Sequence, residues 1–211
     1  MQTSLFDAQA PTPSAGKECL PYDGSAILIP DFLNPEESHQ AFHYMARSIE
    51  WQQDTIAMYG KSIPIPRLNA WYADPEIHYS YSGIHLQVWP WTQELLALKA
   101  KIEAYSGHTF NSVLANQYRT GNDSVAWHAD DEPELGHQPI IASLSLGSER
   151  YFRLRHIANR TVIRLLLTPG SLLIMKGDCQ HGWEHEIPKT KRSSGARINL
   201  TFRKVYPQLK K

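Results

Sequence analysis

Apolar positions along this chain follow two rhythms. Between Pro35 and Glu50, Phe42, Met45 and Ile49 recur at helical spacing, and from Thr92 to Tyr105 one stripe joins Leu95, Leu98, Ile102 and Tyr105. Both segments are predicted helices that pack on a sheet. From Phe110 onward the period falls to two. Asn111–Tyr118, Ile140–Leu146, Tyr151–His156, Thr161–Leu167, Ser171–Lys176 and Arg197–Val205 are predicted strands. Turn-forming residues separate most of them, at Gly121-Asn122-Asp123, Gly147-Ser148, Pro169-Gly170 and Gly177-Asp178. Short strands with such punctuation predict a mostly β protein with flanking helices, an antiparallel sandwich or jelly roll. The aromatic, proline-rich stretch from Trp51 to Trp89 fits neither rhythm and reads as a hairpin-bearing lid.

Composition narrows this picture. At 211 residues the chain is one domain's worth. Residues 1–20, with Thr12-Pro13-Ser14-Ala15-Gly16, read as a flexible tail and residues 21–211 as a single domain. No apolar run reaches the roughly 18 residues that span a bilayer, and the basic-then-apolar layout of a secretory signal is absent, so no membrane partner is expected. The two cysteines, Cys19 and Cys179, do not suggest a disulfide framework. A reducing compartment follows: bacterial cytoplasm, or the nucleus if the source is eukaryotic. A formal net charge of zero argues weakly against a high-affinity nucleic-acid binder. The clusters Arg150/Arg153/Arg155 and Lys189/Lys191/Arg192 soften that, although each also reads as a solvated charged face.

Three features carry chemistry. In His128-Ala129-Asp130 an extended backbone points the imidazole and the carboxylate to one side. One further imidazole would complete the two-His-one-carboxylate triad of non-haem Fe(II), which leaves positions open for ligands. His181 and His185 are the two candidates. The third feature is Arg197-Ile198-Asn199-Leu200-Thr201-Phe202-Arg203, whose Arg197, Asn199, Thr201 and Arg203 share one face. That strand is either an ordinary amphipathic edge strand or a clamp for a dicarboxylate, a role that suits the planar fork of arginine. A ligand histidine on a strand beside it would bring metal and dicarboxylate together.

Asn116-Gln117-Tyr118, Trp127-His128-Ala129-Asp130-Asp131-Glu132, Ile141-Ala142-Ser143-Leu144-Ser145-Leu146-Gly147, Trp183-Glu184-His185 with Pro188, and the arginine strand occur in that order over residues 56–205. Together they resemble the core of the AlkB family of Fe(II)/2-oxoglutarate-dependent dioxygenases. The resemblance implies a double-stranded β-helix with an N-terminal lid, over about residues 51–90. It implies that His128, Asp130 and His185 bind iron, with His181 set aside. Arg197 would pair with the distal carboxylate of 2-oxoglutarate and Arg203 would hold the chelating end. Asn116, Tyr118, Asn199 and Thr201 would complete that pocket. The implied reaction consumes O2 and 2-oxoglutarate, hydroxylates an alkyl carbon on a base nitrogen, and releases formaldehyde, succinate and CO2.

The implied substrate is alkylated DNA, with RNA as a second candidate and 1-methyladenine or 3-methylcytosine as the lesion type. A base buried in a duplex must be flipped out to react, and aromatic rings hold a flipped base. Tyr59, Lys61, Trp71, Tyr79 and Tyr81 are the lid candidates, with Tyr72 a further aromatic there, and Asp131 and Glu132 are the acidic neighbours that would favour a cationic base. Arg67 matches the lid region without an assigned role. Gln2-Thr3-Ser4-Leu5-Phe6 resembles the short peptides that dock on a sliding clamp. A monomer is expected. Two other readings stay open: a 2-oxoglutarate-dependent hydroxylase of a protein or small molecule, and a jelly-roll binding module without catalysis.

Overall fold

The computed structural model describes residues 14–58, 61–77, 80–81, 84–85, 87–192 and 195–206. Both expected helices form, α1 at Pro35–Ser48 and α2 at Gln93–Ser106. Asn34 caps α1 reciprocally: its side chain accepts from the Glu37 N–H while the Glu37 carboxylate accepts from the Asn34 N–H, each at 2.9 Å. Thr92 caps α2, which ends at Gly107 in the left-handed region, φ 72°.

The early strands are β1 (Lys17–Glu18), β2 (Ser25–Ile29), β3 (Thr55–Met58), β4 (Lys61–Pro64), β5 (Leu68–Ala73), β6 (Ser80–Tyr81), β7 (Ile84–His85) and β8 (Val88–Trp89). After α2 come β9 (Ser112–Tyr118), β10 (Val125–His128), β11 (Ile141–Gly147), β12 (Arg150–His156), β13 (Val162–Leu167) and β14 (Leu172–Lys176). A four-residue helix α3 (Cys179–Gly182) leads into β15 (Trp183–Ile187), and β16 (Arg197–Arg203) follows. Eight strands form the major sheet in the order β1-β2-β14-β11-β16-β9-β5-β8, and four form the minor sheet, β10-β15-β12-β13.

The major sheet is covered on both faces. Ala115, Leu144, Ile198, Leu200 and Phe202 pack outward against Met45, Leu95, Leu98 and Ile102 of the two helices. Tyr118, Ile141, Leu173 and Met175 pack inward on Phe152, Leu154, Leu165 and Ile187 of the minor sheet. Two facing sheets of this kind, antiparallel but for the β5–β8 pair, make the expected double-stranded β-helix, with helices on the outer face.

Several expectations need correction. The tail predicted over residues 1–20 ends sooner, because Lys17–Glu18 pairs with Ile27–Leu28 and Tyr105 Oη donates to the Ser14 carbonyl. The stretch 51–90 is not hairpins throughout: β3–β4 and β6–β7 are hairpins, but β5 pairs with β9 and β8 with β5 inside the major sheet. The arginine strand is no edge strand, since β16 lies between β11 and β9 with every residue buried.

Candidate active site

The inner faces of the two sheets enclose a cleft, and its polar residues come from strand alternation. On β16 the side chains of Arg197, Asn199, Thr201 and Arg203 turn inward while Ile198, Leu200 and Phe202 enter the helix-covered core. Asn116 and Tyr118 on β9 lie directly across from Asn199 and Arg197. On β11 Ser143 and Ser145 share the inner face, where Asn199 Nδ2 donates to Ser143 Oγ at 2.8 Å and Arg197 Nη2 to Ser145 Oγ at 2.9 Å.

The minor sheet supplies the opposite wall. His128 ends β10 and is the cross-strand partner of His185 on β15, with ring centroids 4.2 Å apart. Asp130 follows two residues after His128, and the ligand atoms of His128, Asp130 and His185 all lie within 4.8 Å of one another. His185 is therefore not on a strand beside the arginines, as expected from sequence. It faces them across the cleft, so the meeting of imidazoles and guanidinium groups depends on the packing of two sheets. His181 lies on α3 instead, exposed, with its ring 5.2 Å from that of His137.

The electrostatics of the three residues suit a divalent metal. Burial lowers the pKa of His128, and burial together with nearby His128 and Arg203 pushes His185 down to about 3, so both imidazoles are neutral at pH 7. Burial alone would raise the Asp130 carboxyl, but Arg203 and the two histidines outweigh it and hold the group down at about 2. Arg203 Nη2 donates to Asp130 Oδ2 at 2.7 Å. The Ala126 carbonyl lies 2.8 Å from His128 Nδ1, which places the proton there and leaves Nε2 as the metal-facing lone pair. Asp130 Oδ1 and His185 Nδ1 are buried and, among the described residues, have no hydrogen-bond partner. Two neutral imidazoles, one carboxylate and an orphaned carboxylate oxygen fit a non-haem iron(II) site.

The same test applied to 2-oxoglutarate points to Arg197. Its Nε and Nη1 are buried and without a partner among the described residues, and Tyr118 lies beside it with 5.2 Å between the guanidinium carbon and the ring centre. Burial lowers its pKa to about 10, which leaves it a cation at pH 7. A buried cation with unused donors fits a carboxylate.

Other expected residues are placed less uniformly. Asp131 is exposed and Glu132 half-buried, immediately after the ligand Asp130. Trp71, expected in the lid, is buried on β5 opposite Leu114 and packs with Leu135 and Val205. Tyr72 points to the other face and enters the helix-covered core. Tyr59 and Tyr79 lie outside the described residues, as does Gln2–Phe6. Of Lys61 and Tyr81 only the backbone is described.

The cluster Arg150/Arg153/Arg155 is not a free basic face. Arg150 is buried and donates to the carbonyls of Thr120, Asp123 and Pro188. Arg153 pairs with Glu186 and Arg155 with Glu184, both guanidinium groups near the Trp127 ring.

Sequence reasoning assigned nothing to Arg67, Ser143, Ser145 or Gln180. Arg67 Nε donates to Asn116 Oδ1 at 2.9 Å inside the cleft, and Gln180 Oε1 accepts from the Asp130 N–H at 2.9 Å. The alternation of β11 signals the two serines, whereas nothing local signals Arg67 or Gln180.

Comparisons with known proteins agree with this geometry. A family model described as the 2OG-Fe(II) oxygenase superfamily matches residues 25–203. The chain is 44% identical over 190 residues to "Alpha-ketoglutarate-dependent dioxygenase alkB homolog 3" of Bos taurus, a match covering 85% of this chain and 66% of that protein, just under two-thirds. It is 36% identical to "DNA oxidative demethylase ALKBH2" of Homo sapiens over 80% of this chain and 69% of the relative. Its namesake in Arabidopsis thaliana is 34% identical over 96% and 74%. A solved structure titled "The structure of OsALKBH1" superimposes with a TM-score of 0.61 at 19% identity, over 85% of this chain and 97% of the other, which bears on the fold.

Proposed function

Because this chain belongs to the 2OG-Fe(II) oxygenase superfamily, we propose that it is an iron(II)- and 2-oxoglutarate-dependent dioxygenase that oxidatively dealkylates N-alkylated bases in DNA. The observation that carries this reading is the facing arrangement: His128, Asp130 and His185 on one wall of a buried cleft and the polar face of β16 on the other. When bound, iron(II) and 2-oxoglutarate supply the oxidising power drawn from O2, with succinate, CO2 and formaldehyde as products.

The chain's own residues do the rest. His128, Asp130 and His185 hold the metal, and Arg203 keeps Asp130 ionised and oriented. Arg197 receives the distal carboxylate of 2-oxoglutarate, with Tyr118 and Ser145 fixing its fork. Asn116, Asn199 and Thr201 line the space between, and the apolar contacts of Phe152, Met175 and Ile187 exclude water. Asp131 and Glu132 supply negative charge where a cationic base such as 1-methyladenine or 3-methylcytosine would dock. Tyr59, Lys61, Tyr79 and Tyr81 are the candidate contacts to that base, whereas Trp71 is taken up by the core.

The test is succinate and formaldehyde formation with Fe(II), 2-oxoglutarate and oligonucleotides carrying one methylated base, as single- and double-stranded DNA and as RNA. Turnover that requires the methylated base is expected, and turnover indifferent to it would sink the DNA reading. One observation favours a second reading, hydroxylation of a protein or small molecule: Arg150, Arg153 and Arg155 are occupied by internal partners and offer phosphates little. The same panel decides between them.

Two further expectations belong here. A reducing compartment suits the unpaired Cys19 and Cys179. Docking of Gln2–Phe6 on a sliding clamp predicts that removing residues 1–10 abolishes clamp binding and leaves turnover intact.

A further inference from the structure

The carboxylate of the triad is held differently from its two histidines. His128 and His185 are cross-strand partners, so the ladder between β10 and β15 fixes their separation. Asp130 lies two residues beyond the end of β10, where the chain has left the strand. Its carboxylate is tied at one oxygen, Oδ2, by Arg203. Its backbone N–H is bonded by a side chain, donating to Gln180 Oε1 at 2.9 Å. The other end of that amide, Nε2, donates to the Met175 sulfur at 3.6 Å.

Gln180 is 1% exposed and projects from α3, the short helix that runs directly into β15 and His185. The helix is itself closely packed. Gly24, at φ +114°, passes so near that a Cβ there would lie 2.3 Å from the Cys179 nitrogen. The amide of Gln180 thus joins the segment that presents Asp130 to the segment that presents His185, at a point the ladder does not reach.

We propose that Gln180 is a positioning residue for the metal centre, fixing the backbone of Asp130 so that Oδ1 meets a metal shared with His128 and His185. This rests on the iron reading of the site. A side chain that fixes a ligand's backbone tunes metal affinity as the hydrogen-bond partners of ligating histidines do.

The experiment uses the full chain stripped of metal. Mn(II) binding is followed from the free-ion magnetic resonance signal, Co(II) binding from its visible absorption, and melting temperature is recorded without metal. Gln180→Leu should weaken Mn(II) binding about 10–100-fold and shift the Co(II) band. Gln180→Glu keeps an acceptor oxygen at the same reach and should restore affinity to within about fivefold. Gln180→Asn, which draws the amide back by one methylene, replaces the leucine variant if that fails to fold and should weaken Mn(II) similarly. Cys179→Ala, a buried change on the same helix, should lower melting temperature while Mn(II) affinity stays within about twofold. The proposal is overturned if Gln180→Leu, or Gln180→Asn in its place, binds Mn(II) like the parent, or if affinity falls with melting temperature alike in all variants. A parent chain that binds neither metal overturns the iron reading itself, and the proposal with it.

Discussion

The two faces of β16 are equally dry and differently occupied. Ile198, Leu200 and Phe202 are fully buried against the helices, while Arg197, Asn199, Thr201 and Arg203 are at most 8% exposed on the other side. The apolar face is complete as it stands, since contact is all its side chains require. The polar face is not, because Arg197 keeps donors that no described residue uses. Burial alone therefore does not separate a core from a binding site; unfinished hydrogen bonding does. The apolar face holds the protein together, and the polar face prepares it for molecules that arrive later.

That contrast can be broken or sharpened by substitution. The largest effect is expected opposite the polar face: His128→Ala, Asp130→Ala or His185→Ala should reduce turnover to background and abolish tight Mn(II) binding, with the fold intact by circular dichroism. Next comes the apolar face, where Phe202→Ala should cost about 3–5 kcal/mol of unfolding free energy in denaturant titration. A cost under about 1 kcal/mol would remove the distinction between the faces.

Arg197→Met should weaken 2-oxoglutarate binding by about 2–3 kcal/mol, some 30–150-fold in Kd, measured by calorimetry on the metal-loaded protein. The same change should leave stability level or raise it, because it removes a buried charge with unused donors. Equal loss of stability and affinity would make Arg197 a structural residue. The smallest effect is expected at His181→Ala, with turnover within about twofold of the parent, since that exposed ring touches only His137 among the rings described. A loss larger than that of His185→Ala would reverse the ligand assignment.

The chain announces much of this and withholds the rest for physical reasons. The alternation Arg197-Ile198-Asn199-Leu200-Thr201-Phe202-Arg203 is legible, but it looks the same on an edge strand facing water and on a central strand facing a polar cleft. Only the covering elements decide. β5 was hidden for the opposite reason: Leu68-Asn69-Ala70-Trp71-Tyr72-Ala73 is covered on both faces, so the period of two vanishes and its aromatics look like a lid. Arg150 reads as surface charge because its three carbonyl partners come from loops 30, 27 and 38 residues distant in sequence. Apart from the family motif, His185 stands out from His181 through its pairing with His128, a contact across 57 residues of chain.

The position of β16 also bears on how the protein is made. It is the last strand among the described residues, yet it enters the middle of the major sheet between β11 and β9. Until it arrives, those strands have no neighbour on that side and the sheet cannot close, so folding must wait on pairings between distant parts of the chain. Arg197 and Arg203 arrive with it. A nascent chain emerging from the ribosome would therefore carry His128, Asp130 and His185 before it carries the two arginines of β16. Synthesis order thus leaves the cleft without the guanidinium groups of β16 until the described strands are complete.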